Sequence, residues 1–282
     1  MHEGSGAMYK IGWFSTGRGQ GSLNLLHAIM SAIKNGEVKA DMGFVFCSRE
    51  PGDAGGSDNY IKQVQEYGLP LVCFSSRRFK PDLRRQGSHD PAALARWRKD
   101  YDREVMKRLG SPDVSITVLA GYMLVLGSEM CTSYDMVNLH PAAPNGPAGT
   151  WQEVIWQLIG QRADASGNMM HLVIEELDKG PPITYGTFPI RGGAFDMLWA
   201  DIEEDLKHKT LEEIAREQGE QQPLFAKIRQ EGARREIPLV IQTIKAFAQG
   251  RLHLENRSVI ADGIPLAGPY CLNDDIELEL VQ

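Results

Sequence analysis

Short apolar runs alternate along this chain with longer stretches in which apolar positions recur every three or four residues. The first run, 9–14, predicts a strand. Leu23, Leu25, Leu26, Ile29, Met30 and Ile33 then recur at helical spacing until Asn35-Gly36 closes the helix. A second strand is predicted over 42–47, a second helix from Tyr60, Ile61, Val64 and Tyr67 up to Gly68, and a third strand over 69–74. Asp90 is placed to cap a charged helix that runs to Leu109, with Pro91 in its first turn. The stretch 114–120 is almost continuously apolar, as expected of a strand covered on both faces. Strands and helices in alternation predict an α/β fold built on an open, doubly wound, mostly parallel sheet.

The pattern changes in the second half. A strand over 136–139 is stopped by Pro141, and the loop over 141–149 is rich in proline and glycine. Residues 151–159 have the spacing of a short amphipathic helix. Two further strands, 169–177 and 183–190, flank Asp178-Lys179-Gly180-Pro181-Pro182, and so tight a junction predicts an antiparallel edge. From 194 to about 250 the chain reads as helical and charge-rich, with a break at Gln222-Pro223. The stretch 251–270 suggests a C-terminal hairpin turning at Ala261-Asp262-Gly263. The expected organisation is one domain, 1–282, read as a phosphate-binding half (8–122), a catalytic half (123–193), a helical segment (194–250) and a C-terminal hairpin and tail (251–282).

Composition narrows the function classes. A chain that is 42% hydrophobic and 24% charged buries an ordinary core. A net charge of −7 with scattered basic residues argues against nucleic acid as the main partner. Arg77-Arg78, Arg84-Arg85 and Arg234-Arg235 read as solvated surface, with an anion pocket as the minor alternative. Cys47, Cys73, Cys131 and Cys271 lie far apart and lack metal-ligand or redox spacing, which predicts reduced, mostly buried thiols, no metal and a cytoplasmic protein. No apolar run approaches the roughly 20 residues of a membrane span. Residues 1–7 lack the hydrophobic core of a signal peptide and are expected to be unstructured or an expression remnant.

Two constellations carry chemistry. Between the first strand and helix stands Ser15-Thr16-Gly17-Arg18-Gly19-Gln20-Gly21-Ser22, where backbone amides and a helix N-terminus suit a phosphate or another anion. The glycines fit neither the Walker nor the dinucleotide spacing, and a flexible strand-to-helix turn satisfies the same pattern. The second constellation is Asn138 and His140, two residues apart on one strand and so on one face, with Asp178 further along. An amide can donate to an oxygen gaining charge, an imidazole can hold a proton near neutral pH, and a carboxylate can orient it. These parts suit attack of an amine on a carbonyl carbon. Ordinary capping and turn roles also fit the three residues, and His171 between Met170 and Leu172 also fits a core histidine. The chain lacks a Gly-x-Ser-x-Gly elbow, a His-Glu-x-x-His helix and a Cys-x-x-Cys pair.

Taken together, several segments in order resemble the glycinamide ribonucleotide (GAR) formyltransferase family. They are Arg98-Lys99-Asp100-Tyr101-Asp102-Arg103-Glu104, Leu119-Ala120-Gly121-Tyr122-Met123, Asn138-Leu139-His140-Pro141 with Pro147-Ala148-Gly149, the stretch from Gly167 to His171, Glu176-Leu177-Asp178-Lys179-Gly180, and Ile237-Pro238-Leu239-Val240-Ile241 with Gly250-Arg251-Leu252. The resemblance implies a Rossmann-like formyltransferase fold and transfer of a formyl group from 10-formyltetrahydrofolate, the cosubstrate, to the amine of GAR in purine synthesis. By the same resemblance the catalytic trio is Asn138, His140 and Asp178. Gly19, Gln20, Gly21, Ser22, Asn24, Arg98 and Glu231 would bind the substrate. Met123, Leu124, Val125, Leu126, His171, Glu175, Glu176 and Leu177 would line the folate site. The partners implied are small molecules, with the chain a monomer or homodimer and no nucleic acid or membrane involved. A related formyltransferase acting on another amine, a formyltetrahydrofolate hydrolase and a folate- or nucleotide-binding sensor are the alternatives. The chain departs from the family in an extra Leu23 within a longer glycine loop, in Leu124 where arginine is usual, in Asn168-Met169-Met170 before His171, and in a longer 194–235 segment.

Overall fold

A computed structural model describes residues 8–281, so the expectation for 1–7 lies outside the described residues. In chain order the elements are β1 (Tyr9–Ser15), α1 (Gln20–Lys34), β2 (Ala40–Cys47), α2 (Gly55–Glu66), β3 (Leu71–Cys73), α3 (Pro81–Gln86), α4 (Pro91–Leu109), β4 (Ile116–Leu119), α5 (Ser128–Ser133) and β5 (Met136–His140). There follow α6 (Trp151–Gly160), β6 (Ala165–Leu172), β7 (Pro182–Pro189), a 3₁₀ turn (Gly193–Phe195), α7 (Asp196–Asp205), α8 (Leu211–Gln218) and α9 (Pro223–Ala248). The chain ends with β8 (Leu252–Glu255), β9 (Ser258–Ala261), two short strands β10 (Ile264–Pro265) and β11 (Tyr270–Cys271), and α10 (Asn273–Val281). They group into two compact units. One comprises 8–138, 172–181 and 244–262, the other 139–171, 182–243 and 263–281.

The first unit carries parallel strands in the order β3-β2-β1-β4-β5. The chain steps outward from β1 through β2 to β3 and then returns to lay β4 on the other side of β1. This reversal makes a crevice at the carboxyl ends of β1 and β4, where sheets of this kind bind ligands. Alternate residues of β1 and β2, with Leu119 of β4, send Phe14, Phe44 and Phe46 to one face, against Trp97, Tyr101 and Val105 of α4 and Met130 and Cys131 of α5. Trp97 and Tyr101, one helical turn apart, stack with centroids 5.1 Å apart, and Tyr101 stacks on Phe74 at the same spacing. The predicted cap of α4 is present, with Asp90 Oδ1 accepting from the Ala92 and Ala93 amides at 2.9 and 3.2 Å.

In the second unit β7 pairs antiparallel with β6 and parallel with β11. Helices α6 to α9 enclose a core that includes Val154, Leu158, Phe188, Trp199, Ile214 and Phe225. Thr150 and Glu153 form a reciprocal capping box at the start of α6. Asn168, one of the departures from the family, donates through Nδ2 to the Gly232 carbonyl at 2.8 Å and so ties β6 to α9.

Several sequence expectations are corrected. The strand expected over 169–177 is β6, which begins at Ala165 and ends at Leu172. Gly167 and Asn168 made its first half look like loop, but a Cβ at Gly167 would stand 2.4 Å from the Gly186 carbonyl oxygen, so only glycine lets these strands approach. The connection to β7 therefore spans 173–181 and is no tight turn, although the pair is antiparallel as predicted. The C-terminal hairpin turns at Asn256-Arg257, both left-handed at φ 49° and 63°, and not at Ala261-Asp262-Gly263. A type I′ hairpin turn needs positive φ at both positions, and Asn-Arg is a weaker signal for it than Asp-Gly. The tail beyond the hairpin is the helix α10. The short helices α3 and α5 have too few turns to show a period. All four cysteines are free thiols, with Cys271 exposed. Among the described residues no helix is long and apolar enough to cross a membrane.

Candidate active site

The glycine loop lies where β1 feeds α1. Gly19 is the N-cap in extended conformation, with no side-chain cap and no acidic residue in the first helical turn, so the first amides face outward with the positive end of the helix dipole. A Cβ at Gly19 or Gly21 would meet nothing within 4 Å. Internal packing does not require glycine there, and the open space admits a ligand against the backbone. Gln20 Nε2 donates to Asn24 Oδ1 at 2.8 Å, on the exposed side of the helix. Leu23 is buried and belongs to the core face of α1. Ser22 packs against Gly121, whose φ of +68° and lack of a side chain bring the two backbones together. Thr16 links the loop to the segment after β4: its Oγ1 accepts from Ser48 Oγ (3.0 Å) and from the Met123 amide (2.9 Å).

That segment, 123–127, carries the residues expected to face the folate. Met123 is 61% exposed, Leu124 packs on the aromatic core, and Leu126 is buried. A leucine at 124 is thus explained by packing. Val125, Leu126, Gly127, Glu129 and Glu175 line a cavity of about 580 Å³ together with Arg98, Lys99 and Asp102 of α4. Arg98, expected beside a substrate phosphate, lines the same cavity as Val125, Leu126 and Glu175, which are expected at the folate site.

Asp102 is a site residue that sequence reasoning passed over, although it stood in a quoted segment. It is 3% exposed, and its Oδ2 accepts from the Gly127 amide at 2.6 Å, holding the 123–127 segment on α4. Burial pushes its carboxyl up to about 7, outweighing the Gly127 amide and Arg98, which favour the anion. The folded state consequently holds this proton more tightly than the unfolded chain, where the group titrates near 4. The stabilisation is complete below about pH 4 and is lost as pH rises through about 7. Asp102→Asn keeps an oxygen for the Gly127 amide and removes the titration. The wild type is expected to lose up to about 1.4 kcal/mol of stability per pH unit across this interval relative to the variant. Urea unfolding of both proteins at pH 5 and pH 8 measures this, and equal pH dependence would refute it.

The loop 173–181 carries Glu175, Glu176, Leu177 and Asp178. Leu177 is 64% exposed, and Asp178 adopts φ 56°, the left-handed region that aspartate and asparagine tolerate best. Its base is pinned by the Val173 amide on the Met136 carbonyl (2.8 Å) and by the Leu172 amide on the Pro181 carbonyl (2.9 Å). Arg257, at the hairpin turn, donates to the carbonyls of Val173 and Cys131, each at 2.9 Å. Nothing local in the sequence marks Arg257 as a support for this loop.

Asn138 is half-buried opposite Leu119 in the β4–β5 register, and His140 ends the same strand, 3% exposed. His140 Nε2 lies 3.4 Å from the Pro147 carbonyl oxygen, a contact that favours a proton on Nε2. His171 of β6 is also buried, and its ring meets that of His140 edge to face with centroids 6.1 Å apart. Glu231 of α9, expected to bind an amine, is held by Lys227 (2.9 Å), Arg235 (2.7 Å) and Arg234 (3.3 Å). These cations draw its carboxyl below the usual range against the opposing effect of burial. Among the described residues no cluster of three or more His, Cys, Asp or Glu is arranged to hold a metal ion.

Comparison with known proteins bears on these elements. Residues 18–196 match the family described as formyl transferase. The phosphoribosylglycinamide formyltransferase of Saccharomyces cerevisiae is 28% identical over 170 residues, covering 58% of this chain and 76% of the yeast protein. That of Escherichia coli is 24% identical over 241 residues, 84% of this chain and 88% of its own length. Among solved structures, the phosphoribosylglycinamide formyltransferase from Coxiella burnetii superposes with a TM-score of 0.62 at 22% identity, covering 94% of this chain and all (100%) of that one. A formyltetrahydrofolate deformylase from Burkholderia mallei gives 0.55 at 18% identity, covering 90% of this chain and 70% of that one. The structural likenesses establish the shared fold. The family match takes in the glycine loop, α4, the 123–127 segment, β5 and the Asp178 loop, more than half of the sequence, and this chain belongs to the formyl transferase family.

Proposed function

We propose that this protein transfers the formyl group of 10-formyltetrahydrofolate to the amine of GAR, a step of purine synthesis in the cytoplasm. The observation that carries the reading is the family match, which spans Asn138 and His140 at the carboxyl end of β5, a parallel strand beside β4. Relatives named phosphoribosylglycinamide formyltransferase, matched over as much as 84% of this chain, supply the acceptor. The open amides of Gly19 to Ser22 suit the acceptor's phosphate. The cavity beneath 123–127 suits the donor: Val125 and Leu126 offer apolar contact, and Arg98 and Lys99 offer charge for the carboxylates that folates carry.

The roles follow from the chemistry of the groups. The acceptor nitrogen forms a bond to the formyl carbon, and the carbonyl oxygen gains negative charge. The Asn138 amide donates to that oxygen, and His140, protonated, donates beside it. Asp178 supports the imidazolium and accepts, through water, the proton the nitrogen sheds. As the bond from carbon to the folate nitrogen breaks, that nitrogen takes, through the same water, the proton held by Asp178, giving tetrahydrofolate and the formylated amine. Asp178 and His140 thus begin and end the cycle in the same protonation states.

Incubation of the purified protein with 10-formyltetrahydrofolate and a panel of amines, read as tetrahydrofolate release, tests the proposal. Release that depends on GAR is expected. Release of tetrahydrofolate and formate without any amine would instead make the protein a hydrolase. A folded sample giving no turnover with any amine would overturn formyl transfer.

A further inference from the structure

Three arginines at the carboxyl ends of β2 and β3 take no part in the chemistry above. Arg49 follows β2, Arg77 follows β3, and Arg84 lies on α3. Arg49 is half-buried, and its Nη1 donates to the Ser48 carbonyl (2.9 Å) and to Ser76 Oγ. Arg84 Nη1 donates to the carbonyl of the same Ser76 (2.7 Å), and its guanidinium lies 5.0 Å from the centre of the Trp97 ring. Arg77 Nη1 donates to the Asp53 carbonyl (2.9 Å), on the loop that continues from Arg49. Neutral oxygens and an aromatic face thus fix three guanidiniums around Ser76 and the 49–53 loop. Their mutual repulsion is felt: burial first, then Arg77 and Arg84, push the Arg49 guanidinium below its ordinary value.

The neighbouring acids relieve it only from a distance. Asp53, which attracts Arg49 at longer range, is bound to Arg78 Nε (2.8 Å) and accepts from the Glu50 amide (3.0 Å). Glu50 itself faces Arg78, Asp82 pairs with Arg85, and Asp100 pairs with Lys80. Among the described residues no carboxylate stands within 4.0 Å of Arg49, Arg77 or Arg84. Three guanidiniums without a paired carboxylate, one partly desolvated, sit at the end of the sheet where ligands are held, beside the buried hydroxyls of Ser48 and Ser76. A carboxylate is satisfied by one arginine fork. A phosphoryl group, with about two negative charges and three terminal oxygens, matches three.

We propose that Arg49, Arg77 and Arg84 form a phosphoryl-binding subsite additional to the glycine loop. Its occupant is a free phosphate held beside the acceptor, whose own single phosphate is assigned to the glycine loop. Calorimetric titration of the full chain with inorganic phosphate at low salt tests the subsite. The titrations are made in a Gly21→Asp background, where a carboxylate in the glycine loop suppresses binding at that loop. Phosphate is expected to bind, and Arg49→Met, Arg77→Gln and Arg84→Met are each expected to weaken it at least tenfold. Arg77 is exposed, so its variant reports binding even where the half-buried positions disturb folding. No binding in the Gly21→Asp protein, or binding unchanged by Arg77→Gln, would overturn the proposal. With the wild-type loop, phosphate that competes with GAR and loses this ability in the arginine variants would place the acceptor's own phosphate at the arginines and overturn a separate subsite. Arginine-dependent phosphate binding unaffected by saturating GAR supports a free anion. The calorimetric result does not depend on turnover, so its failure would leave formyl transfer untouched.

Discussion

Replacing His140 with alanine is expected to lower turnover with GAR and 10-formyltetrahydrofolate by at least about 10²-fold, and Asp178→Asn is expected to do the same. The two substitutions probe different links. Asp178 sits at φ 56°, a conformation asparagine adopts as readily, so Asp178→Asn removes charge and leaves the loop backbone in place. His140 is 3% exposed, and alanine there leaves a void, so its unfolding midpoint has to be measured beside its kinetics. Loss confined to KM would show that these groups only bind. Loss of kcat and kcat/KM together marks interactions made as charge develops on the oxygen. Wild-type turnover in folded Asp178→Asn would remove the carboxylate from the mechanism.

Gly121→Ala is expected to raise the KM for GAR at least tenfold with a smaller effect on kcat. Its φ of +68° costs a residue with a Cβ about 1–2 kcal/mol. The new atom would also lie 2.2 Å from Ser22 Oγ, and Ser22 is too buried to swing aside. The strain is passed to the first turn of α1, the turn whose open amides are assigned to the acceptor's phosphate. Steady-state kinetics with GAR as the varied substrate decides the matter, and an unchanged KM would separate this turn from acceptor binding.

Where local chemistry determines structure, the sequence was readable. Asp90-Pro91 marked the start of α4, the apolar run 114–120 marked β4, and Asn138-Leu139-His140-Pro141 marked the end of β5. It was unreadable where structure depends on distant partners. Arg257 supports a carbonyl 84 positions earlier, at Val173, and one 126 positions earlier, at Cys131. Asp102 looked like one more charge on a charged helix, and only the fold shows that it faces the Gly127 amide. Arg84 looked solvated for the same reason, since Trp97 and Ser76 reach it through tertiary packing. The end of β6 was misplaced because Val173, Ile174 and Leu177 are apolar yet lie in a loop, and Leu177 is exposed.

The interleaving of the two units has a consequence for biosynthesis. The first unit is begun with β1 but draws on 172–181 and 244–262, while the second is opened at 139 and draws on residues beyond 263. A ribosome releasing about 5–20 residues per second therefore holds the first unit open for many seconds after its first five strands have emerged. Its apolar strands spend that interval without Arg257, the clamp on the Val173 loop, and the unit begun first is not closed until residue 262 is free. No single cut in the chain yields two self-sufficient fragments, so chaperone demand during synthesis should exceed what a chain with consecutive domains would need.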